Sequence, residues 1–186
     1  PLNYYPEKYF EIEQIKNYKD LILNNITSTK LAGSILDIKE RSNKDGKKYA
    51  FITVSDIQSQ FELTIFSENL YKYRPMLKEG NLLIFNIDII KNNADLRFII
   101  SKVTSLEKVF KENNIKFIIF SSVENIIQNK EKIFEKRTDS KTTVDLFVNQ
   151  DDKLINFDFN QYSIKSFKVL DELKRSKILD YSLEIS

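Results

Sequence analysis

The chain has 186 residues, of which 41% are hydrophobic and 30% charged, a composition typical of a folded globular protein rather than a disordered one. Its 29 basic and 27 acidic residues leave a net charge of +2, so only a local cluster of charge can indicate a polyanionic partner. The lack of cysteine and histidine excludes disulfides, zinc–thiolate sites and the commonest general base.

No apolar run approaches the ~20 residues that a membrane-spanning helix needs, and the first residues do not have the pattern of a signal peptide. We therefore expect a cytoplasmic protein with no membrane partner. Because the chain begins with Pro1 rather than methionine, we also expect it to be a piece of a longer protein.

Apolar spacing over residues 5–25 predicts one amphipathic helix, and residues 1–29 are interpreted as an N-terminal helical linker. From Lys30 the period changes to two, the period of a β-strand. This alternation predicts strands over residues 30–38, 47–55 and 60–66, a helix over 68–77, a fourth strand after Gly80 and a fifth over 96–103.

Three strands, a short helix and two strands in this order predict an OB-fold, a five-stranded partly open β-barrel, over residues 30–106. A barrel strand that serves both halves of the sheet has to bend, and glycine suits such a bend. We expect Gly33 to lie at the bend of the first strand; the alternative is a glycine without such a role.

Residues 107–186 predict a small α+β domain with the order β-α-β-β-α-β, interpreted as a split βαβ unit. Its predicted strands cover residues 115–120, 143–148, 154–159 and 178–185, and its helices cover 123–137 and 166–175. Four phenylalanines of this half are interpreted as core residues: Phe117, Phe157, Phe159 and Phe167.

The acidic residues are scattered, whereas a polymerase or nuclease site needs clustered carboxylates that hold two metal ions. The doublet Asp151–Asp152 lies in a predicted hairpin loop, and three glycines cannot build a phosphate-binding loop. We therefore predict no catalytic residue, metal site or cofactor in this chain and interpret it as a binding module.

Residues 39–48 carry a local excess of three positive charges around a predicted flexible turn at residues 43–46. Alternation then places Tyr49, Phe51 and Thr53 on the outer face of the second strand, and Glu62 and Thr64 on that of the third. A basic loop beside outward aromatic rings is how an OB-fold grips single-stranded nucleic acid. The candidate binding residues are Arg41, Lys44, Lys47, Lys48, Tyr49, Phe51, Thr53, Glu62, Thr64, Lys91, Asn92 and Arg97.

Two alternatives stay open for these candidates. Tyr49 and Phe51 can instead pack against the N-terminal helix or a neighbouring domain. Lys91, Asn92 and Arg97, between the fourth and fifth strands, either flank the same groove or are ordinary solvated residues.

Residues 47–56, K-K-Y-A-F-I-T-V-S-D, resemble the stretch G-K-x-M-A-F-V-T-L-x-D of bacterial DNA polymerase III alpha subunits. Residues 61–66 and 31–33 resemble that family as well, and residues 143–148 more weakly. The barrel motif is shared with anticodon-binding domains of tRNA synthetases, but residues 1–5 and 71–74 favour the polymerase. Residues 58–60, Q-S-Q, replace a glycine of the family, so we expect a wider turn there.

The resemblance implies that this chain is the non-catalytic C-terminal part of a DNA-directed DNA polymerase, a nucleotidyltransferase whose catalytic aspartates and Mg²⁺ lie upstream. It implies that the barrel binds single-stranded template DNA and that residues 107–186 bind the tau subunit of the clamp loader. Other replisome subunits would be reached through the parent chain. The alternatives are an anticodon-binding module of a synthetase and a protein-interaction scaffold.

Overall fold

The computed structural model describes the chain except for residues 1, 3–4, 24–25, 93–94, 138–140 and 151–152, and except for the side chains of residues 22, 23, 92 and 95. The chain divides into two compact units. The first consists of residues 1–2 and 10–110, and the second of residues 3–9 and 111–186. None of the described helices is long and apolar enough to cross a membrane.

The first unit is built around a five-stranded barrel. In chain order, the elements up to residue 112 are α1 (Glu7–Ile12), β1 (Ile15–Lys16), α2 (Tyr18–Leu23), β2 (Ser28–Ser42), β3 (Lys48–Ser55), β4 (Gln60–Phe66), α3 (Ser67–Tyr73), β5 (Leu82–Asn92), β6 (Asp95–Ser105) and α4 (Leu106–Glu112). The strands pair in the order β2-β3-β4-β6-β5, and β5 pairs back onto β2. The predicted barrel, with a helix between its third and fourth strands, is confirmed.

Strands β3 and β4 show why this sequence forms a barrel. Every second residue of β3 (Ala50, Ile52 and Val54) is buried, and the same holds for Phe61, Leu63 and Ile65 of β4. Since successive side chains of a strand point to opposite faces, this period turns one face of each strand into the barrel core. The other face remains available for binding.

Strand β2 serves both halves of the barrel, pairing with β5 over residues 28–34 and with β3 over residues 34–42. The register shifts between Ile35 and Asp37, so the irregularity lies beyond Gly33 rather than at it. A Cβ added to Gly33 would lie 2.2 Å from Val54 Cγ1 and 2.9 Å from the Ser55 carbonyl oxygen. Gly33 is therefore required for close approach of two strands, and the register shift occurs elsewhere.

The single helix predicted over residues 5–25 is wrong. The chain forms α1 and α2, separated by β1, which pairs in parallel with Lys30 and Leu31 of β2. Gln14, with a φ of 56°, is in the left-handed region, which a continuing helix cannot accommodate. Leu21 of α2 is only 4% exposed and belongs to the barrel core. Ile15 and Leu21 thus contact different parts of the barrel rather than a single helix-binding surface.

The second unit contains a four-stranded sheet. Its elements are β7 (Ile115–Ser122), α5 (Val123–Ile133), β8 (Phe134–Lys136), β9 (Thr142–Gln150), β10 (Lys153–Asp158), β11 (Tyr162–Ile164), α6 (Phe167–Arg175) and β12 (Leu179–Ile185). The sheet has the order β10-β9-β7-β12, and β8 pairs with β11 in a separate ribbon.

Three predictions for this unit need correction. Strands β7 and β9 are direct parallel neighbours, so the βαβ unit is not split. Helix α5 ends at Ile133 because Phe134 is extended (φ −112°, ψ 148°) and its buried ring lies 5.1 Å from that of Phe159. The short strands β8 and β11 add to the predicted order β-α-β-β-α-β.

Of the four phenylalanines predicted to be core, Phe117 is fully buried and stacks on Phe167 with 5.4 Å between ring centroids. Phe159 is half-buried between Phe134 and Tyr162. Phe157 is 44% exposed, so its assignment to the core is wrong. Its strand, β10, is the edge of the four-stranded sheet and is exposed along its length.

Candidate nucleic-acid interface

The outer face of β3 and β4 carries three rows of paired side chains. Tyr49 lies opposite Phe66, Phe51 opposite Thr64, and Thr53 opposite Glu62. Residues that lie opposite each other in an antiparallel pair share a face, so these side chains form one surface. Strand β2 extends the first row, because Arg41 pairs with Tyr49.

Strand β6 lies next to β4 and pairs with it in parallel through a single described residue pair, Thr64 with Ile99. Arg97 pairs with Ile90 of β5, on the far side of this junction. A groove of about 1150 Å³ crosses the surface here. Seven of the twelve predicted residues line it: Lys47, Lys48, Tyr49, Phe51, Glu62, Thr64 and Arg97.

The other five predicted residues are not among the groove's lining residues. Arg41, Lys44 and Lys91 are exposed, and Thr53 is half-buried beside Glu62. The side chain of Asn92 lies outside the described residues.

Sequence reasoning missed eight further residues that line the groove: Tyr18, Asn43, Phe66, Ser67, Ile90, Leu96, Phe98 and Ile99. Phe66 could have been found, because it continues the outward alternation of Glu62 and Thr64. Tyr18 carried no such signal, because its place depends on how the N-terminal segment folds back onto the barrel.

Three aromatic rings stand together on the β3–β4 surface. The rings of Tyr49 and Phe51 meet edge to face at 5.4 Å, and Phe66 lies 6.4 Å from Tyr49. Tyr49 and Phe51 are half-buried, whereas Phe66 is 50% exposed. The described ring contacts of the N-terminal Tyr18 are with Phe61 and Phe98 rather than with Tyr49 or Phe51.

The basic turn beside these rings is held in one conformation by Asn43. Its Oδ1 accepts hydrogen bonds from the backbone N–H groups of Asp45 (3.0 Å) and Lys47 (2.8 Å). Gly46 takes a φ of 76°, which glycine adopts without strain. The turn is thus organised by its own side chain, which presents Lys47 and Lys48 to the groove.

Some of the charged side chains around the groove form ion pairs with one another, and others do not. Lys39 forms an ion pair with Asp37 at 3.2 Å, and Glu40 forms one with Arg74 of the segment after α3. Among the residues that the structure describes, no carboxylate pairs with Lys47, Lys48 or Arg97. These three exposed cations therefore keep their charge available for an anion in the groove.

The turn between β3 and β4 is tighter than the absence of the family's glycine led us to expect. Asp56 closes it, because its backbone N–H donates to the Ser59 carbonyl at 3.0 Å and its Oδ1 accepts from the N–H groups of Gln58 and Ser59. The second carboxylate oxygen, Oδ2, accepts from the backbone N–H of Tyr18 at 2.9 Å. One aspartate thus shapes the turn and anchors the start of α2.

Within the described part of the chain, no group of three acidic residues is placed to hold a metal ion. The groove contains one carboxylate, Glu62, beside its three cations. The surface thus has an excess of positive charge, flat aromatic faces and no candidate catalytic cluster among the described residues, features suited to binding an anionic polymer with planar bases.

Residues 29–106 match the model of the family described as the OB-fold nucleic acid binding domain. The match covers all five barrel strands from Thr29 onwards, together with α3.

The resemblance to DNA polymerase III alpha subunits is confirmed. The chain is 32% identical over 107 residues to DNA polymerase III subunit alpha of Rickettsia prowazekii, covering 55% of this chain and 9% of that protein. It is 24% identical over 131 residues to the subunit of the same name from Borreliella burgdorferi, covering 69% of this chain and 11% of that protein. The chain therefore spans about a tenth of the length of these relatives.

Among solved structures, a mitochondrial single-stranded DNA binding protein of S. cerevisiae matches with 13% identity and a TM-score of 0.38, over 45% of this chain and 97% of that one.

Proposed function

We propose that this chain is a C-terminal part of a bacterial replicative DNA polymerase alpha subunit and that its OB-fold binds single-stranded DNA in the groove across β3, β4 and β6. The observation that carries the proposal is the juxtaposition of three rings, Tyr49, Phe51 and Phe66, with the cations Lys47 and Lys48 in one groove. Phosphate contacts supply affinity without regard to sequence, and ring faces stack on any base.

The arrangement suggests how a strand would lie. Lys47 and Lys48 stand at one end of the groove, beside the Asn43 turn, and Arg97 stands on β6 across the junction of β4 and β6. Phosphates that contact these cations would leave the bases above Phe51 and Phe66.

The remaining parts of the proposal follow from the resemblance to the DNA polymerase III alpha family. The parent protein would be a cytoplasmic DNA-directed DNA polymerase that uses Mg²⁺ at carboxylates outside this chain, and residues 107–186 would bind the tau subunit of the clamp loader. Other replisome subunits would be contacted by the parent chain.

Fluorescence anisotropy with labelled oligo-dT tests the groove. Phe51→Ala should weaken binding by ~1–3 kcal/mol, because one stacking platform is removed. Phe157→Ala, which removes an exposed ring from the second unit, is the matched control and should leave affinity unchanged.

The charge contribution is measured separately through salt dependence. Lys47→Ala/Lys48→Ala should reduce the slope of log affinity against log salt by ~0.7 for each phosphate that is no longer neutralised, whereas Lys78→Ala/Lys102→Ala, at exposed positions that do not line the groove, should not. Tighter binding to an RNA anticodon loop than to oligo-dT would instead favour the synthetase-like module. No salt-sensitive binding to either would favour the protein scaffold.

A further inference from the structure

The segment before the barrel contributes a side chain to the groove that no sequence motif selected. The ring of Tyr18, the first residue of α2, stacks face to face on Phe61 with 4.5 Å between centroids and 5° between planes. Its ring also meets the edge of Phe98 at 5.3 Å. Further along the same helix, Leu21 enters the barrel core, so α2 is anchored at two points of the same unit.

Asp56 fixes the backbone at the same place. Its Oδ2 accepts from the Tyr18 N–H at 2.9 Å, while Oδ1 is held by the N–H groups of Gln58 (2.8 Å) and Ser59 (2.6 Å). The carboxylate is therefore oriented by its own turn before it receives Tyr18. Ring stacking and a hydrogen bond to the backbone together leave Tyr18 little freedom to move.

The hydroxyl of Tyr18, by contrast, has no hydrogen-bond partner in the described part of the chain. The hydroxyl oxygen is in contact with solvent, and the Tyr18 side chain lines the groove together with Phe51, Thr64 and Arg97. A tyrosine hydroxyl is already protonated at neutral pH, and partial burial raises the pKa of the Tyr18 hydroxyl further, so the group is a hydrogen-bond donor there.

We propose that Tyr18 is a nucleic-acid-binding residue whose hydroxyl donates a hydrogen bond to a phosphate oxygen of the bound strand, and that Asp56 is the positioning residue that holds it there. This proposal rests on the proposed function of the groove. It extends the binding surface from the strands of the barrel to the N-terminal segment, which becomes one wall of the groove. Phosphate contacts made by rigidly held side chains set the register of a bound strand.

Tyr18→Phe tests the proposal, because it removes the hydroxyl and keeps the ring that stacks on Phe61. Oligo-dT affinity should fall about ten-fold, as expected when a hydrogen bond to a charged oxygen is removed, while the melting temperature stays unchanged. Tyr71→Phe is the matched control, since Tyr71 is an exposed tyrosine on α3 that does not line the groove.

The role of Asp56 has its own measurement. Asp56→Asn weakens the acceptor for the Tyr18 N–H, so it should reduce oligo-dT affinity in the wild-type background but not further in the Tyr18→Phe background. Equal reductions in both backgrounds would overturn the positioning role.

The outcomes distinguish this proposal from the proposed function on which it rests. Wild-type binding together with unchanged affinity of Tyr18→Phe would overturn the role of Tyr18 and leave the groove assignment standing. An equal reduction in the Tyr71→Phe control would overturn it as well. A wild-type chain that fails to bind oligo-dT would refute the groove assignment, and the role of Tyr18 with it.

Discussion

Replacing Gly33 with alanine should destabilise the barrel strongly. The added methyl group would lie 2.2 Å from Val54 Cγ1 and 2.9 Å from the Ser55 carbonyl oxygen. Val54 is fully buried and Ser55 contributes backbone, so neither neighbour can move aside without shifting β3. Overpacking of this kind costs ~1–3 kcal/mol, and two such clashes place Gly33→Ala near ~3 kcal/mol.

Urea-induced unfolding followed by circular dichroism measures this destabilisation. The midpoint should fall by ~1–3 M, which is ~3 kcal/mol divided by the slope of ~1–3 kcal/mol per molar that is typical of small domains. The slope itself should stay unchanged. Gly80→Ala is the control: Gly80 has a φ of 82°, but a Cβ added there would have no neighbour within 4 Å, so that variant suffers conformational strain of ~1–2 kcal/mol without a clash.

A double-mutant cycle identifies the cause of the Gly33→Ala destabilisation. Val54→Ala removes the closer of the two clashing atoms, so the double variant should be more stable than the sum of the two single effects predicts, by at least ~1 kcal/mol. Additive effects, or a Gly33→Ala protein as stable as the wild type, would refute the packing explanation.

Two predictions concern the second unit. Tyr181→Phe removes the hydroxyl that donates to the buried Asp171 carboxylate, whose pKa is raised by burial, an effect that this hydrogen bond opposes. The variant should be destabilised by ~1–3 kcal/mol at neutral pH. The destabilisation should become smaller as the pH falls through the pKa of Asp171, because the protonated carboxyl needs the donor less. Thermal unfolding at neutral and mildly acidic pH measures both effects, and a destabilisation independent of pH would contradict the explanation. Residues 10–110 alone should fold, as circular dichroism can show, and bind oligo-dT like the whole chain but no longer capture purified tau; capture as strong as that by the whole chain would refute the tau assignment.

The barrel was predictable because its signal is local. Each of the strands β3 and β4 buries every second residue, and a period of two can be read from a few neighbouring positions. The same period correctly placed Tyr49, Phe51, Glu62 and Thr64 on one outer surface, which the structure joins in a single groove.

The errors arose where the outcome depends on distant contacts. The order of elements in residues 107–186 does not decide which strands become neighbours, so the direct pairing of β7 with β9 was missed. Strands as short as β8 and β11 do not show a period. The apolar spacing of residues 5–25 suited one helix, yet Ile15 enters a parallel strand pair and Leu21 the barrel core.

Strands β4 and β6 are joined by a single described residue pair, Thr64 with Ile99, and we call this junction the seam of the barrel. Every other junction of the barrel is an antiparallel ladder of at least seven described pairs, so separation at this junction disturbs the hydrogen bonding least. Local opening follows the path of fewest bonds, so the two sides of the seam are the parts of the barrel that separate most readily. Thr64 stands on one side, and Arg97 and Ile99 stand on the other. The groove therefore crosses the barrel at the junction that the fewest described backbone pairs hold together.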